Sequence, residues 1–167
     1  MAKAGILDAR RSLLEERLRS EVSLRDVMTG EPPRWFTALL NDLVLAIGSA
    51  DIRYLSANLS PGAGARAGLM AVVVFTDELV AYATLDPDPA LGPAQFEVIV
   101  TARRSLTSFA IETTETFDFA DENSDGMRIS VSYPSFSRTL PLGESQWQHR
   151  GSDTRWLLRC LRDDLKV

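Results

Sequence analysis

The sequence predicts an α+β fold: two N-terminal helices, about seven antiparallel strands in a strongly curved sheet or partly open barrel, and one C-terminal helix packing on it. Three observations carry that expectation. Apolar residues recur at spacings of three and four up to about Ser49 and again after Ser152, the period of an amphipathic helix. Between Asp51 and about Leu142 the period is two, as in half-buried strands. No β-α-β alternation intervenes, which argues against doubly wound and TIM-type enzyme folds. The 167 residues suit one domain, 1–167, able to bury roughly two thirds of its unfolded surface.

The first segment, 1–30, reads as an amphipathic helix. Leu7, Leu14, Leu18 and Val22 form a narrow apolar stripe, and Arg10, Arg11, Glu15, Arg17 and Arg19 fill the other faces. Glu15 with Arg19 and Glu21 with Arg25 are acid-before-base pairs four apart, each worth a few tenths of a kcal/mol. Thr29-Gly30-Glu31-Pro32-Pro33 ends the helix, because proline lacks a backbone donor. In the second segment, 31–49, Trp35, Phe36, Leu39, Leu40, Leu43, Val44 and Ile47 cover a broad face, and Gly48 is placed to cap the helix in a left-handed conformation.

Within 51–142, Ile52–Leu59, Leu69–Phe75, Leu79–Leu85, Phe96–Ala102 and Arg138–Leu142 read as strands. Val72–Phe75 is apolar on both parities, which places that strand centrally. Phe109, Ile111, Phe117 and Phe119 share one parity, and Met127, Ile129, Val131 and Tyr133 another run, so the two form a hairpin across Asp121–Gly126. Ser152 or Asp153 then caps a helix over 152–166 with Trp156, Leu157, Cys160, Leu161 and Leu165 on one side. Seven strands followed by an amphipathic helix resembles the element order of pleckstrin-homology-like domains; the resemblance is one of counts and order.

Composition narrows the chemistry. One histidine (His149) and one cysteine (Cys160) exclude a disulfide framework and a structural zinc site of about four Cys/His ligands. Phe75–Asp125 holds eleven acidic residues against Arg103 and Arg104, so the β-region is acidic and the helical ends carry the basic balance. Nucleic-acid binding needs a basic stripe, so no nucleic-acid partner is expected. The longest apolar run, Leu69–Phe75, is too short for a membrane span, and the N-terminus lacks a secretory core. The expected location is cytoplasmic.

The sharpest motif is Asp121-Glu122-Asn123-Ser124-Asp125-Gly126, the first half of a calcium loop with Asp121, Asn123 and Asp125 as the oxygen ligands. Its twelfth position is Ser132 where a bidentate glutamate belongs, so a solvated turn is the expectation. Gly62, Gly64 and Gly68 precede a strand where a phosphate loop requires a helix. His149 lies in a polar stretch without a nucleophile elbow, Cys160 on an apolar helix face, and Asp86 and Asp88 in a proline-stiffened loop. On a strand, Arg103 and Arg104 point to opposite faces, so at most one enters a pocket to meet an anion, and pairing with a neighbouring carboxylate is the simpler expectation. No catalytic residue and no cofactor is assigned.

The expected function is a non-enzymatic protein-interaction domain, with a protein partner or a second copy docking on Leu7, Leu14, Leu18 and Val22. The alternative is a small-molecule carrier or enzyme with a pocket inside the sheet, lined by Tyr82, Phe109, Phe117 and Tyr133.

Overall fold

The structure is a computed structural model, and it describes residues 2–20, 32, 34–59, 70–85, 97–113, 127–142 and 151–166. Among these, helices α1 (Ala2–Ser20) and α2 (Arg34–Ile47) precede seven strands. The strands are β1 (Tyr54–Asn58), β2 (Met70–Phe75), β3 (Leu79–Leu85), β4 (Glu97–Ala102), β5 (Ser108–Thr113), β6 (Met127–Ser132) and β7 (Ser137–Leu140). A 3-10 turn, Arg103–Ser105, separates β4 from β5, and helix α3 spans Gly151–Asp164. The fold is α+β, and every strand pairing is antiparallel.

The strands form two open sheets, ordered β1-β2-β3-β4 and β5-β6-β7, in place of the single curved sheet or barrel expected. The division occurs at the 3-10 turn. Arg103 N–H donates to the Glu78 carbonyl at 2.7 Å, the last rung of the β3–β4 ladder. Leu106 N–H then bonds back to the Arg103 carbonyl, and Thr107 N–H opens the next ladder on the Ser132 carbonyl. Alternation continues on both sides of this crossing, so periodicity alone carries no mark of it.

The four-stranded sheet is the middle layer. Leu55, Ala57, Val72, Val74, Ala81 and Ala83 face Leu14 and Leu18 of α1 and the broad apolar face of α2. The small side chains of Ala57, Ala81 and Ala83 leave room for the helices to lie close. Tyr54, Ala71, Val73, Phe75, Val80 and Tyr82 face the other way, against Ile129, Val131, Tyr133 and Leu140 of the second sheet and Leu157 and Leu161 of α3. All six residues of β2 are buried, as expected of a central strand covered on both faces. Gly48 ends α2 at φ +58°, with its N–H on the Val44 carbonyl at 2.9 Å.

Polar ties join the layers. Arg10 of α1 donates to the Ser49 carbonyl at 3.2 Å and pairs with Asp51, fixing the helix to the end of α2. The buried Ser56 hydroxyl of β1 accepts the Leu142 N–H at 2.8 Å, which tethers the chain after β7 to the first sheet. In the β2–β3 turn the buried Thr76 hydroxyl accepts the Leu79 N–H at 2.9 Å.

The stripe expected to serve as an interaction surface is divided by this packing. Leu14 and Leu18 are fully buried in the chain's own core, Leu7 is exposed, and Val22 lies outside the described residues. Leu14→Ala or Leu18→Ala is therefore expected to lower unfolding free energy by about 2–5 kcal/mol in chemical denaturation, the range for truncating a fully buried leucine.

Candidate functional site

Among the described residues, a groove open to solvent lies where α2 meets the outer edge of β4. Strand β4 ends the four-stranded sheet, and among the described residues no strand pairs with its outer side. The Arg103–Glu78 bond sets the phase of the ladder. Antiparallel rungs alternate, so Glu97, Ile99 and Thr101 direct backbone groups at β3 while Val98, Val100 and Ala102 direct theirs outward. The register places Val98 and Val100 on the helix-covered face, in line with Ala83 and Ala81.

On that face an open groove of about 440 Å³ is lined by Asp42, Leu45 and Ala46 of α2 and by Val98 and Val100. Leu45 is 77% exposed and Val100 44% exposed, so two large apolar side chains stand in solvent beside an edge strand. Sequence reasoning missed this site. Leu45 was visible as a leucine outside the α2 stripe, but only the packing of α2 over β4 brings it next to Val100.

A second, polar constellation sits between the 3-10 turn, the β2–β3 turn and α3. Arg103 Nε donates to Asp164 Oδ2 at 2.8 Å; the Asp164 carboxylate is almost fully buried, and the guanidinium lies 5.9 Å from the Trp156 ring centre. The buried Tyr133 hydroxyl has no hydrogen-bond partner among the described residues. Burial pushes its pKa up, Asp164 adds to the rise, and Arg103 opposes it. Burial likewise pushes the Cys160 thiol up, the reverse of what an activated thiolate requires. At the surface nearby, Arg53 donates to both Asp77 oxygens; this holds the Asp77 carboxyl below its ordinary value and raises Arg53.

These residues act as a clamp for α3. Arg103 and Arg104 lie on the 3-10 turn and not, as expected, on opposite faces of a strand, and the Arg103 guanidinium is engaged by Asp164. Among the described residues no group of three or more His, Cys, Asp or Glu is placed to hold a metal ion. The Asp121, Asn123 and Asp125 turn, the glycines at 62, 64 and 68, Asp86, Asp88 and His149 all lie outside the described residues.

The space between the sheets, where an interior pocket was the alternative, is packed with rings. Phe136 stacks on Tyr82 at 4.7 Å and on Tyr133 at 5.0 Å, and Arg138 bonds the Tyr82 hydroxyl while lying 5.1 Å from that ring's centre. Phe109 is partly buried against this cluster, and Phe117 is outside the described residues. Among the described residues no helix is long and apolar enough to cross a membrane.

Two outcomes follow for the clamp. Removing one member of the buried pair, by Arg103→Ala or Asp164→Ala, leaves the other charge uncompensated and is expected to lower stability by about 3–5 kcal/mol in denaturant titration. Tyr133→Phe deletes a buried hydroxyl that bonds no described group, so stability at neutral pH is expected to hold or rise by about 1 kcal/mol. The pH dependence has a definite sign. A phenol whose folded pKa is raised contributes stability that is present below its unfolded value, near 10, and is lost as pH rises through that value toward the folded one. Cys160 acts in the same direction. Melting temperature measured from about pH 8 to about pH 11 is expected to fall less steeply for Tyr133→Phe than for the unaltered chain.

Compared with protein-family models, curated proteins and solved structures, the chain matches none, so its likeness to pleckstrin-homology-like domains rests on element order alone.

Proposed function

We propose that this chain is a non-enzymatic protein-interaction domain of the cytoplasm whose docking face is the α2–β4 groove. One observation carries the reading: a strand edge that no described strand pairs with, its backbone donors and acceptors aimed outward, runs beside an apolar groove open to solvent. Main-chain pairing along such an edge supplies affinity, and a pocket for alternate side chains supplies selectivity. Neighbouring exposed leucine and valine side chains mark interaction surfaces more often than isolated ones do. The acidic Asp42 in the groove lining favours a polypeptide partner over a phosphate backbone. The ring stacking between the sheets favours this reading over a carrier or enzyme with an interior pocket.

Leu45→Glu tests the assignment. Leu45 is mostly exposed, so the variant is expected to fold with an unchanged melting temperature. Peptides selected from a random display library on the dilute full-length chain are expected to bind Leu45→Glu at least about tenfold more weakly, a difference of about 1.4 kcal/mol. If neither displayed peptides nor a second copy of the chain engages the protein in a Leu45-dependent way, the reading fails.

A further inference from the structure

We propose that the occupant of the α2–β4 groove is a second copy of this chain, paired antiparallel along β4 about a twofold axis at Val100. The proposal rests on the interaction reading above and names the partner and the register.

Hydrogen-bond geometry supplies the first reason. The outward-facing residues are Val98, Val100 and Ala102, symmetric about Val100. An antiparallel copy centred there places Val98 opposite Ala102 of the second copy and Val100 opposite itself. Every outward donor and acceptor of the three residues then meets an outward acceptor or donor. A twofold perpendicular to the sheet keeps each residue on its own face, so the interface is isologous and closes as a dimer. The paired row on the helix face is entirely apolar, Val98 with Ala102 and Val100 with Val100, and both exposed Leu45 side chains lie on that same face. On the opposite face Ile99 meets Thr101, two residue types suited to strands.

Charge supplies the second reason. Strand β4 begins at the exposed Glu97 and runs into Arg103 and the exposed Arg104. Antiparallel self-pairing brings the acidic start of each strand to the basic end of the other. Arg103 is held by Asp164, so the exposed Arg104 supplies the basic charge at that end. Parallel pairing would set acid beside acid and base beside base, which is unfavourable. The edge is also poor in the devices that prevent self-association. From Val98 to Ala102 it holds no charge, no proline and no bulge.

Sedimentation equilibrium of the full chain, from about 5 to about 200 µM, tests the proposal, and a dimer within that range is expected. Position 100 meets itself on the axis, so Val100→Lys and Val100→Glu each oppose like charges. Each is expected to dissociate at least about tenfold more readily than the unaltered chain. Mixing the two variants in equal amounts is expected to restore a heterodimer, because the new charges then face one another. Circular dichroism melting checks that each variant is folded, and Val100→Arg or Val100→Asp, with the same charge at the same position, replaces either one that is not. A chain that is monomeric throughout this range overturns the proposal. So does a dimer insensitive to both Val100 variants, or a mixture that stays monomeric. A monomer that still binds displayed peptides in a Leu45-dependent way leaves the interaction reading standing and removes this one.

Discussion

Strand β2 has to be covered twice, and most of the architecture is a response to that requirement. Val72 and Val74 point to one side, Ala71, Val73 and Phe75 to the other, and all are buried. A single layer of helices or a second sheet alone would leave half of this strand in water. At roughly 25 cal/mol per Å² of apolar surface, that exposure would outweigh the net stability of an ordinary domain within a few side chains. Helices α1 and α2 therefore take one face, and the β5-β6-β7 sheet with α3 takes the other. Among the described residues, the two cores lie on opposite faces of the middle sheet.

The two coverings are built differently. On the helical side contact is aliphatic, and the alanines of β1 and β3 let α2 approach closely. Between the sheets the contact is aromatic: Phe75 of the first meets Tyr133 at 6.5 Å, and Phe136 stacks on Tyr82 at 4.7 Å. Rings bury large area with few rotatable bonds, which suits two surfaces that must match without interlocking backbones. Buried polar contacts lie on this side of the sheet as well, among them the Ser56–Leu142 tether and the Arg103–Asp164 pair. A buried ion pair adds little net stability but penalises every arrangement that separates its members, so this one acts chiefly to fix where α3 lies.

A middle layer has edges, and among the described residues no strand pairs with the outer side of β4. Its partner β3 satisfies one side of the ladder, and α2 stops short of covering the other. The result is a strip in which main-chain polarity and apolar side chains are presented together, a combination suited to accepting another strand. The Tyr133 hydroxyl and Cys160 look at first like reactive groups, yet burial raises the pKa of both, which suits support of α3 and not chemistry.

Much of this was legible in the residues. The three helices, the seven strands and the central position of Val72–Phe75 follow from local periodicity, because a side chain's direction along a helix or strand depends only on its place in the repeat. Gly48 as the α2 cap is legible for the same local reason. The stripe of Leu14 and Leu18 was visible as well, but not what it covers: an apolar face reads the same whether its own chain or another buries it. Leu45 and Val100 lie 55 residues apart. Their meeting, the division of the strands into two sheets at Arg103–Ser105, and the side of β4 that no described strand pairs with all depend on which strands become neighbours. Strand neighbours are chosen by long-range packing, on which alternation is silent. The amino-acid sequence by itself determined the elements and the central place of Val72–Phe75; only the tertiary structure decided which strands became neighbours and, among the described residues, left the outer side of β4 without a strand, because pairing is chosen by long-range packing.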